Sequence, residues 1–281
     1  ADGAAPVVSR RTLLFADDHH VLYRAGTRRI ATPSTRHPAN PLIAPTEPWE
    51  VALAWTSVYR DPQSGRYQLW YQAYTGDRAQ ERSHRCVVCY AESDDGIHFQ
   101  KSALDLFSFN DIARTNIVLV GSGGHSLRYA NSVVVDPRVS QGDGTLPDPS
   151  RRYKMAYFDF EKGDGRERPG LCTAFSPDGI HWTNYENNPV GPSSDTSHYV
   201  VRDPATGIYR AYGRFAPRGG RVIGCMTSED FVNWGNRSLA LAPDAEEVAG
   251  PKSDTQFYGM SVGLYEGLYL GGLWVYRPGT D

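Results

Sequence analysis

The chain has 281 residues, and its 29 Lys and Arg against 32 Asp and Glu give a formal net charge of −3. This balance supplies no positive field for nucleic acid or an anionic membrane surface, and no apolar run approaches the roughly 20 residues that span a bilayer, so neither partner is predicted for this soluble, globular chain. Four cysteines are too few for a disulfide framework, while 28 Gly, 19 Pro and 17 Tyr favour short strands and tight turns, and hence an all-β fold.

The chain begins without a targeting signal. Residues 1–3 (Ala-Asp-Gly) lack a methionine, and no apolar stretch precedes Arg10. Any signal peptide has therefore been removed or is not included in the sequence. The sequence therefore leaves the location open, and an extracellular or periplasmic one is favoured among the alternatives.

A unit of strand, turn and strand recurs along the chain. Residues 58–67 match residues 200–209 in turn and spacing, and residues 133–137 begin a third copy with a longer insertion. Asp-Pro starts each turn, and a glycine takes the positive φ in the first two copies. The Asp-Pro carboxylates are therefore predicted to form turns on one face of the fold: Asp61, Asp136 and Asp203.

A second turn closes each repeat. It reads Ser-x-Asp-Gly-x-His-aromatic at residues 93–99 and 176–182, and a degraded copy occupies residues 228–234. Ser and Asp side chains bond the turn backbone, and the terminal aromatic is expected to pack between units. Each unit then holds about four strands, the size of a propeller blade. The predicted blades lie near residues 51–103, 127–186 and 194–240, with a partial blade from 253.

The fourth unit reaches Asp281 before any closing turn. The sequence therefore predicts a single domain over residues 1–281, with about three and a half blades and an N-terminal segment. Residues 12–30 could add an outer strand, but they cannot replace one and a half blades. Two explanations stay open: residues that follow Asp281 are absent, or a second copy of the chain completes the ring as a homo-oligomer.

The two turns, together with residues 37–41 (His-Pro-Ala-Asn-Pro) and 48–50 (Pro-Trp-Glu), resemble those of the five-bladed β-propeller glycoside hydrolases. The likeness is to the broad superfamily of invertase-like and arabinanase-like enzymes, of the family 32 and 43 type. It implies an all-β, five-bladed propeller of four-stranded blades, incomplete in this chain. The invertase motif Asn-Asp-Pro-Asn-Gly is absent, so fructosidase activity of that type is not implied.

The resemblance also implies hydrolysis by two carboxyl groups at one mouth of the ring, acting on a carbohydrate substrate. No cofactor is implied and no metal ligand is assigned, although a structural divalent cation such as calcium in the channel is compatible with the resemblance. Two rivals stay open. One is a propeller that binds sugar or protein without catalysis, and the other is a phosphorylase, which would need an Arg and His cluster at the same mouth.

Strand geometry separates the candidate acids from the Asp-Pro turns. Asp195 precedes Asp203 by eight residues, which at about 3.3 Å per residue puts it about 25 Å away, at the other end of an inner strand. The triplet Ser-Asp-Thr occurs there, at residues 194–196, and again at residues 253–255. We therefore predict Asp195 and Asp254 as catalytic, with Glu50 as a third carboxylate, against the alternatives that the aspartates cap strand ends and that Glu50 is a solvated charge.

Other polar and aromatic residues occur near the starts of the same inner strands. Arg and His side chains could hold a sugar hydroxyl or carboxylate and a Trp could stack on a sugar ring, although each type more often has a structural role. Asp159 and Glu266 are lesser acid candidates. The predicted substrate-binding residues are Trp55, Arg128, Asn131, His198 and Gln256.

Overall fold

The computed structural model of the chain describes residues 18, 21–30, 32–122, 128–137, 148–162, 166–192, 195, 198–215, 220–247 and 254–278. Within these ranges the chain is all-β, as predicted, apart from three short 3-10 helices. None of the described residues form a helix long and apolar enough to cross a membrane. The predicted outer strand over residues 12–30 has no counterpart in its described part, residues 18 and 21–30, and the remainder lies outside the described residues.

The strands form three four-stranded antiparallel sheets and one hairpin, each in simple sequence order. The first sheet contains β1 (Ala52–Arg60), β2 (Tyr67–Tyr74), β3 (Cys86–Ser93) and β4 (Ile117–Leu119). The second contains β5 (Tyr129–Val135), β6 (Tyr153–Lys162), β7 (Glu167–Ser176) and β8 (Thr183–Asn184). The third contains β9 (Tyr199–Arg202), β10 (Tyr209–Phe215), β11 (Val222–Ser228) and β12 (Gly235–Leu241), and the hairpin contains β13 (Gln256–Tyr265) and β14 (Leu268–Tyr276). The 3-10 helices are Gly76–Arg78, Arg82–His84 and Pro149–Arg151.

The first strands of successive sheets, β1, β5, β9 and β13, contact one another in turn. Sheets that meet along their first strands are arranged as the blades of a propeller. The structure therefore has three full blades and a two-stranded fourth unit, in agreement with the sequence prediction. The fourth strand of the first blade, β4, lies after residue 103, because the chain forms a bridge between Glu92 and Gln100 and a second bridge between Phe109 and Ile112 before it returns to β3.

Large aromatic side chains fill the space between blades, as the closing turns predict. Trp70 of β2 is fully buried and packs against Tyr153 of β6 and Trp182 after the second closing turn. Its indole N–H donates to the carbonyl of Gly179, 2.6 Å away, in that same turn. Phe231 has a similar place between the second and third blades, against Phe175. The second and third closing turns therefore each belong to one blade and pack against the preceding blade.

Serine side chains connect the inner strands at the axis. The hydroxyl oxygen of Ser57 in β1 accepts a hydrogen bond from the backbone N–H of Val133 in β5, at 3.0 Å. Ser132 of β5 accepts in the same way from Val200 of β9, also at 3.0 Å. The serines have equivalent positions, four residues before the aspartate of the Asp-Pro turn. Neighbouring blades are thus joined here by side chain to backbone bonds.

The Asp-Pro prediction holds for two of the three aspartates. Asp61 accepts from the N–H of Gln63, and Asp203 accepts from the N–H of Ala205, so both form turns. For Asp136 the residues that would complete the turn lie outside the described ranges, and its carboxylate is 5% exposed and binds Lys154 Nζ at 2.5 Å. The hydroxyl of Tyr209 in β10 also donates to Asp136, at 2.6 Å. Asp136 therefore joins the second blade to the third.

The four cysteines are free thiols, each of them buried. Cys86 and Cys89 both lie in β3, and burial raises the pKa of both thiols. These side chains therefore belong to the packed interior.

Candidate functional site at the propeller mouth

The inner strands begin at the end of the propeller opposite the Asp-Pro turns, and this end is called the mouth below. In both β1 and β5 a bulge occurs close to the mouth, with register shifts between Ala54 and Ser57 and between Tyr129 and Ser132. Trp55 and Ala130 have positive φ angles of 47° and 58° within these bulges, at equivalent positions in the repeat. Bulges and left-handed backbone of this kind redirect side chains next to functional sites.

Aromatic side chains from four sheets meet at the mouth. The Trp55 ring is stacked on Trp274 of β14, with 5.1 Å between ring centroids. It also lies 5.9 Å from the ring of Tyr129, while Tyr199 of β9 lies 6.1 Å from Trp274. The hydroxyl of Tyr74 accepts from the Trp55 indole N–H at 3.2 Å. We call these five residues the aromatic cluster, and 40% of Trp274 is exposed to solvent.

An acid and an arginine lie at the mouth end of the third blade. The exposed carboxylate of Asp195 forms an ion pair with Arg214, a buried residue near the end of β10. The Arg214 guanidinium lies 4.9 Å from the centroid of the Tyr258 ring in β13. Asp195 is therefore held as an anion, since a guanidinium in contact favours the charged form of a carboxyl group.

A second arginine lies on the other side of the same tyrosine. Arg221 directly precedes β11, and its Nη1 donates to Gln256 Oε1 at 2.5 Å. Its guanidinium carbon lies 5.7 Å from the Tyr258 ring and 5.5 Å from the Tyr276 ring. Asp254 is exposed and lies two residues before Gln256. The structure thus brings predicted residues of two sheets, Asp195 and Gln256, to one group of arginines and tyrosines.

Glu50, the third predicted carboxylate, is neither solvated nor free. Its side chain is fully buried, and Lys101 Nζ donates to Oε2 at 2.6 Å. Tyr71 donates its hydroxyl to Oε1 at 2.7 Å, and backbone N–H groups of Thr46 and Glu47 donate to Oε2. Burial, together with Cys89 and Glu50 nearby, raises the pKa of Tyr71 far above its ordinary value. The Glu50 oxygens already have four donors, which leaves the aspartates as the accessible carboxylates among the three predicted acids.

Arg128 and Asp159 form a buried ion pair below the mouth. Arg128 is 1% exposed, and its Nη1 donates to Asp159 Oδ2 at 2.7 Å and to the hydroxyl of Tyr157 at 2.8 Å. Its guanidinium carbon also lies 4.7 Å from the Tyr157 ring centroid. In this position Arg128 supports the start of β5.

Two other predicted binding residues are buried at the axis. Asn131 is 1% exposed, and among the described residues neither its amide nitrogen nor its oxygen has a hydrogen-bond partner. His198 is 2% exposed, and burial, aided by the charge of Arg237, lowers its pKa to about 4. It lies against Gly213, where any side chain carbon would come within 2.4 Å of the imidazole. His198 is therefore a neutral imidazole at physiological pH.

Sequence reasoning missed the most polar part of this arrangement. Arg214 and Arg221 flank the turn between β10 and β11, and nothing in their local sequence separates them from other surface arginines. Trp274 and Tyr199 were equally hidden, since aromatic residues occur throughout the strands. Only their place in the repeat could have indicated the arginines, because both lie at strand ends that the repeat puts at the mouth. Among the described residues, no group of three His, Cys, Asp or Glu side chains could hold a metal ion.

The fold is similar to that of solved glycoside hydrolases. A thermostable family-43 glycoside hydrolase matches with a TM-score of 0.51 and 13% identity, over 80% of this chain and 64% of that chain. A mutant GH32 beta-fructofuranosidase from Bombyx mori, in complex with sucrose, matches with a TM-score of 0.50 and 15% identity, over 80% of this chain and 41% of that chain. A fructofuranosidase from Schwanniomyces occidentalis, complexed with fructose, matches with a TM-score of 0.45 and 17% identity, over 66% of this chain and 33% of that chain.

No family model matches the chain, and no curated protein matches it. The chain spans between one third and two thirds of the length of these three solved structures. At such identities the likeness shows the fold, which is the β-propeller found in these hydrolases.

Proposed function

We propose that this β-propeller chain is a glycoside hydrolase that cleaves a glycosidic bond with two carboxyl groups at its mouth. The fold that it shares with the family-43 enzyme supports this reaction class by analogy. The mouth adds independent support, because it combines accessible carboxylates with exposed aromatic rings. Glycosidases need two carboxyl groups, one that protonates the leaving oxygen and one that acts as base or nucleophile.

The ion pair between Asp195 and Arg214 is the main observation that supports this proposal. A carboxylate that is kept charged suits the base or nucleophile, so we assign this role to Asp195. Asp254 is exposed, and among the described residues no cation pairs with it. Asp254 is the second exposed carboxyl group among the predicted acids, so we assign the acid to Asp254. Their separation in the substrate complex would then be ~5–5.5 Å for retention or ~6.5–9.5 Å for inversion.

The aromatic cluster supplies a surface for the sugar. The exposed part of Trp274 offers an apolar face, and Trp55, which is stacked on this ring, holds it in place. Aromatic rings of this kind bind the C–H face of a sugar, while polar side chains fix its hydroxyl groups. Gln256, half-buried at the start of β13, is the polar residue that we assign to substrate binding.

The test is a screen of p-nitrophenyl pyranosides and furanosides with four proteins: wild type, Asp195→Asn, Asp254→Asn and Asp94→Asn. Asp94 is an exposed aspartate in the first closing turn, at the opposite end of the propeller, so its variant is the matched control. We expect the mouth variants to lose most of kcat and the control to keep it. Activity that survives both mouth substitutions would remove the assignment of these residues.

Two rival functions have some support in the same geometry. Glu50 and Asp195 are both paired with cations, which suits a propeller that binds sugar without cleaving it. Arg214 and Arg221 lie at the mouth, where a phosphorylase would hold inorganic phosphate. Binding without turnover in the screen would favour the first rival, and cleavage that requires phosphate would favour the second.

A further inference from the structure

We propose that the mouth accepts an acidic sugar and that Arg221 binds its carboxylate. This inference rests on the proposed function, because it names the substrate class of the same site. The inference depends on three properties of Arg221: its fixed orientation, the lack of an acidic partner among the described residues, and its place at the mouth.

The guanidinium of Arg221 is fixed on three sides. Tyr258 and Tyr276 lie 5.7 and 5.5 Å from its central carbon, and Gln256 accepts from Nη1 at 2.5 Å. The two tyrosine rings also contact each other, with 6.0 Å between their centroids. A planar guanidinium held in this way loses little freedom on binding, which is why arginine suits two-point recognition of carboxylates.

Within the described residues, no carboxylate compensates the charge of Arg221. The buried cations of the described residues have acidic partners: Arg128 pairs with Asp159, Arg214 with Asp195 and Lys154 with Asp136. The half-buried Arg152 and Arg210 bond instead to tyrosine hydroxyls of the protein. For Arg221, by contrast, the described part of the chain provides no acidic partner, only the neutral oxygen of Gln256. Of the five N–H groups of an arginine, most therefore stay free for a ligand.

A neutral sugar would be a poor occupant of this position. Covering a cation with a group that cannot pair with it costs free energy, because the charge loses water and gains no anion. A carboxylate on the sugar removes this cost and adds charge-assisted hydrogen bonds. Arg214 lies 4.9 Å from the same Tyr258 ring, so a second cation adds to the positive potential there, even though Asp195 partly compensates it.

The position of Arg221 fits an acidic group next to the cleaved bond. Arg221 precedes β11 at the mouth end, and its carbonyl accepts from the N–H of Phe257 in β13, at 3.0 Å. The acid assigned above, Asp254, lies three residues before Phe257 on the same segment. A uronic acid bound by Arg221 would thus have its ring beside the aspartates that act on its linkage.

Calorimetric titration with oligosaccharides of galacturonic and glucuronic acid tests this inference. The matched ligands are the same oligosaccharides with their carboxyl groups reduced to alcohols. We expect the acidic forms to bind wild type more tightly than the reduced forms. Arg221→Gln should weaken binding of the acidic forms about 10–150-fold, the contribution of a charge-assisted hydrogen bond, and should not weaken binding of the reduced forms. Arg221→Lys should bind at an intermediate level, since it retains the charge without the planar fork.

Arg66→Gln is the control variant, because Arg66 is an exposed arginine at the Asp-Pro end, paired with Glu92 and Asp94. It should bind like wild type, and circular dichroism with thermal unfolding verifies that every variant is folded. Equal binding of acidic and reduced sugars, no binding of either, or an Arg221→Gln variant that binds as wild type would each overturn the inference.

Two further readouts separate this inference from the proposed function. Inorganic phosphate is titrated alone: binding as tight as that of the uronides, and equally dependent on Arg221, would replace the acidic sugar with phosphate. Hydrolysis is measured on the same oligosaccharides. Cleavage of neutral sugars only would retain the hydrolase and overturn the acidic substrate, whereas Arg221-dependent binding without cleavage would retain the acidic ligand and overturn the hydrolase.

Discussion

Asn in place of Asp136 tests whether a buried ion pair joins the second and third blades. The substitution preserves the shape of the side chain but removes its charge. Lys154, 7% exposed, would then be a buried cation without its partner, and the Tyr209 hydroxyl would lose its anionic acceptor. Removing one member of a buried pair costs about 3–5 kcal/mol of unfolding free energy. For a chain of this size that corresponds to a fall in Tm of about 6–20 °C.

Urea unfolding, followed by tryptophan fluorescence, and calorimetry measure this loss. Asp203→Asn is the matched control, since Asp203 has the equivalent repeat position but, among the described residues, accepts hydrogen bonds only from its turn backbone and from Tyr269 and has no buried lysine beside it, so a smaller loss is expected. The double variant Asp136→Leu with Lys154→Met should recover part of the stability, because it removes the unpaired lysine charge, while Tyr209 and Arg202 still lose Asp136 as their partner. Equal unfolding free energies for wild type and Asp136→Asn would show that this buried ion pair does not stabilise the contact between the second and third blades.

Three other predictions concern packing and pH. Trp70→Ala should lower the unfolding free energy by about 3–5 kcal/mol in denaturant titrations, because it empties a fully buried site between two blades. Gly224→Ala should cost about 1–3 kcal/mol, since the new carbon would lie 1.9 Å from the Phe215 ring, whereas Gly263→Ala, with nothing within 4 Å, should unfold as wild type. Burial acts to raise the pKa of Asp178, but hydrogen bonds from the His181 backbone and side chain, the Ile180 N–H and Ser176 lower it to about 2. Because the folded-state pKa is depressed, the stability that wild type has over Asp178→Asn should be constant above about pH 4 and disappear as the pH falls through about 2, which acid unfolding series would measure.

The repeated turns made the fold predictable from the sequence. Elements that depend on tertiary contacts, such as β4, were not predictable. The turns after Ser93, Ser176 and Ser228 have local hydrogen bonds that three or four residues encode, so their pattern was visible in the sequence. β4 was not, because its three residues pair with β3 only after an irregular excursion. Whether this is one domain over the whole sequence stays a prediction.

The candidate site was predictable in position but not in chemistry. Counting residues back from Asp203 placed Asp195 at the mouth, since strand length is a local property. The partner of Asp195 is Arg214 on a different strand, and that of Glu50 is Lys101, which is 51 residues away. Such pairings are decided by how sheets pack, and a single sequence does not reveal them. The catalytic assignments therefore remain proposals to be tested by the variants above.

The serine bonds at the axis have a consequence for how such a ring can change. Each sheet completes its own backbone ladder, and Ser57 and Ser132 each add only one bond to the next inner strand. A whole sheet can therefore be inserted or deleted by duplication or loss of one repeat, without leaving a row of unpaired amides at the axis. Adding a whole blade therefore changes few hydrogen bonds at the axis. The new blade must instead reproduce the aromatic contacts that pack one blade against the next.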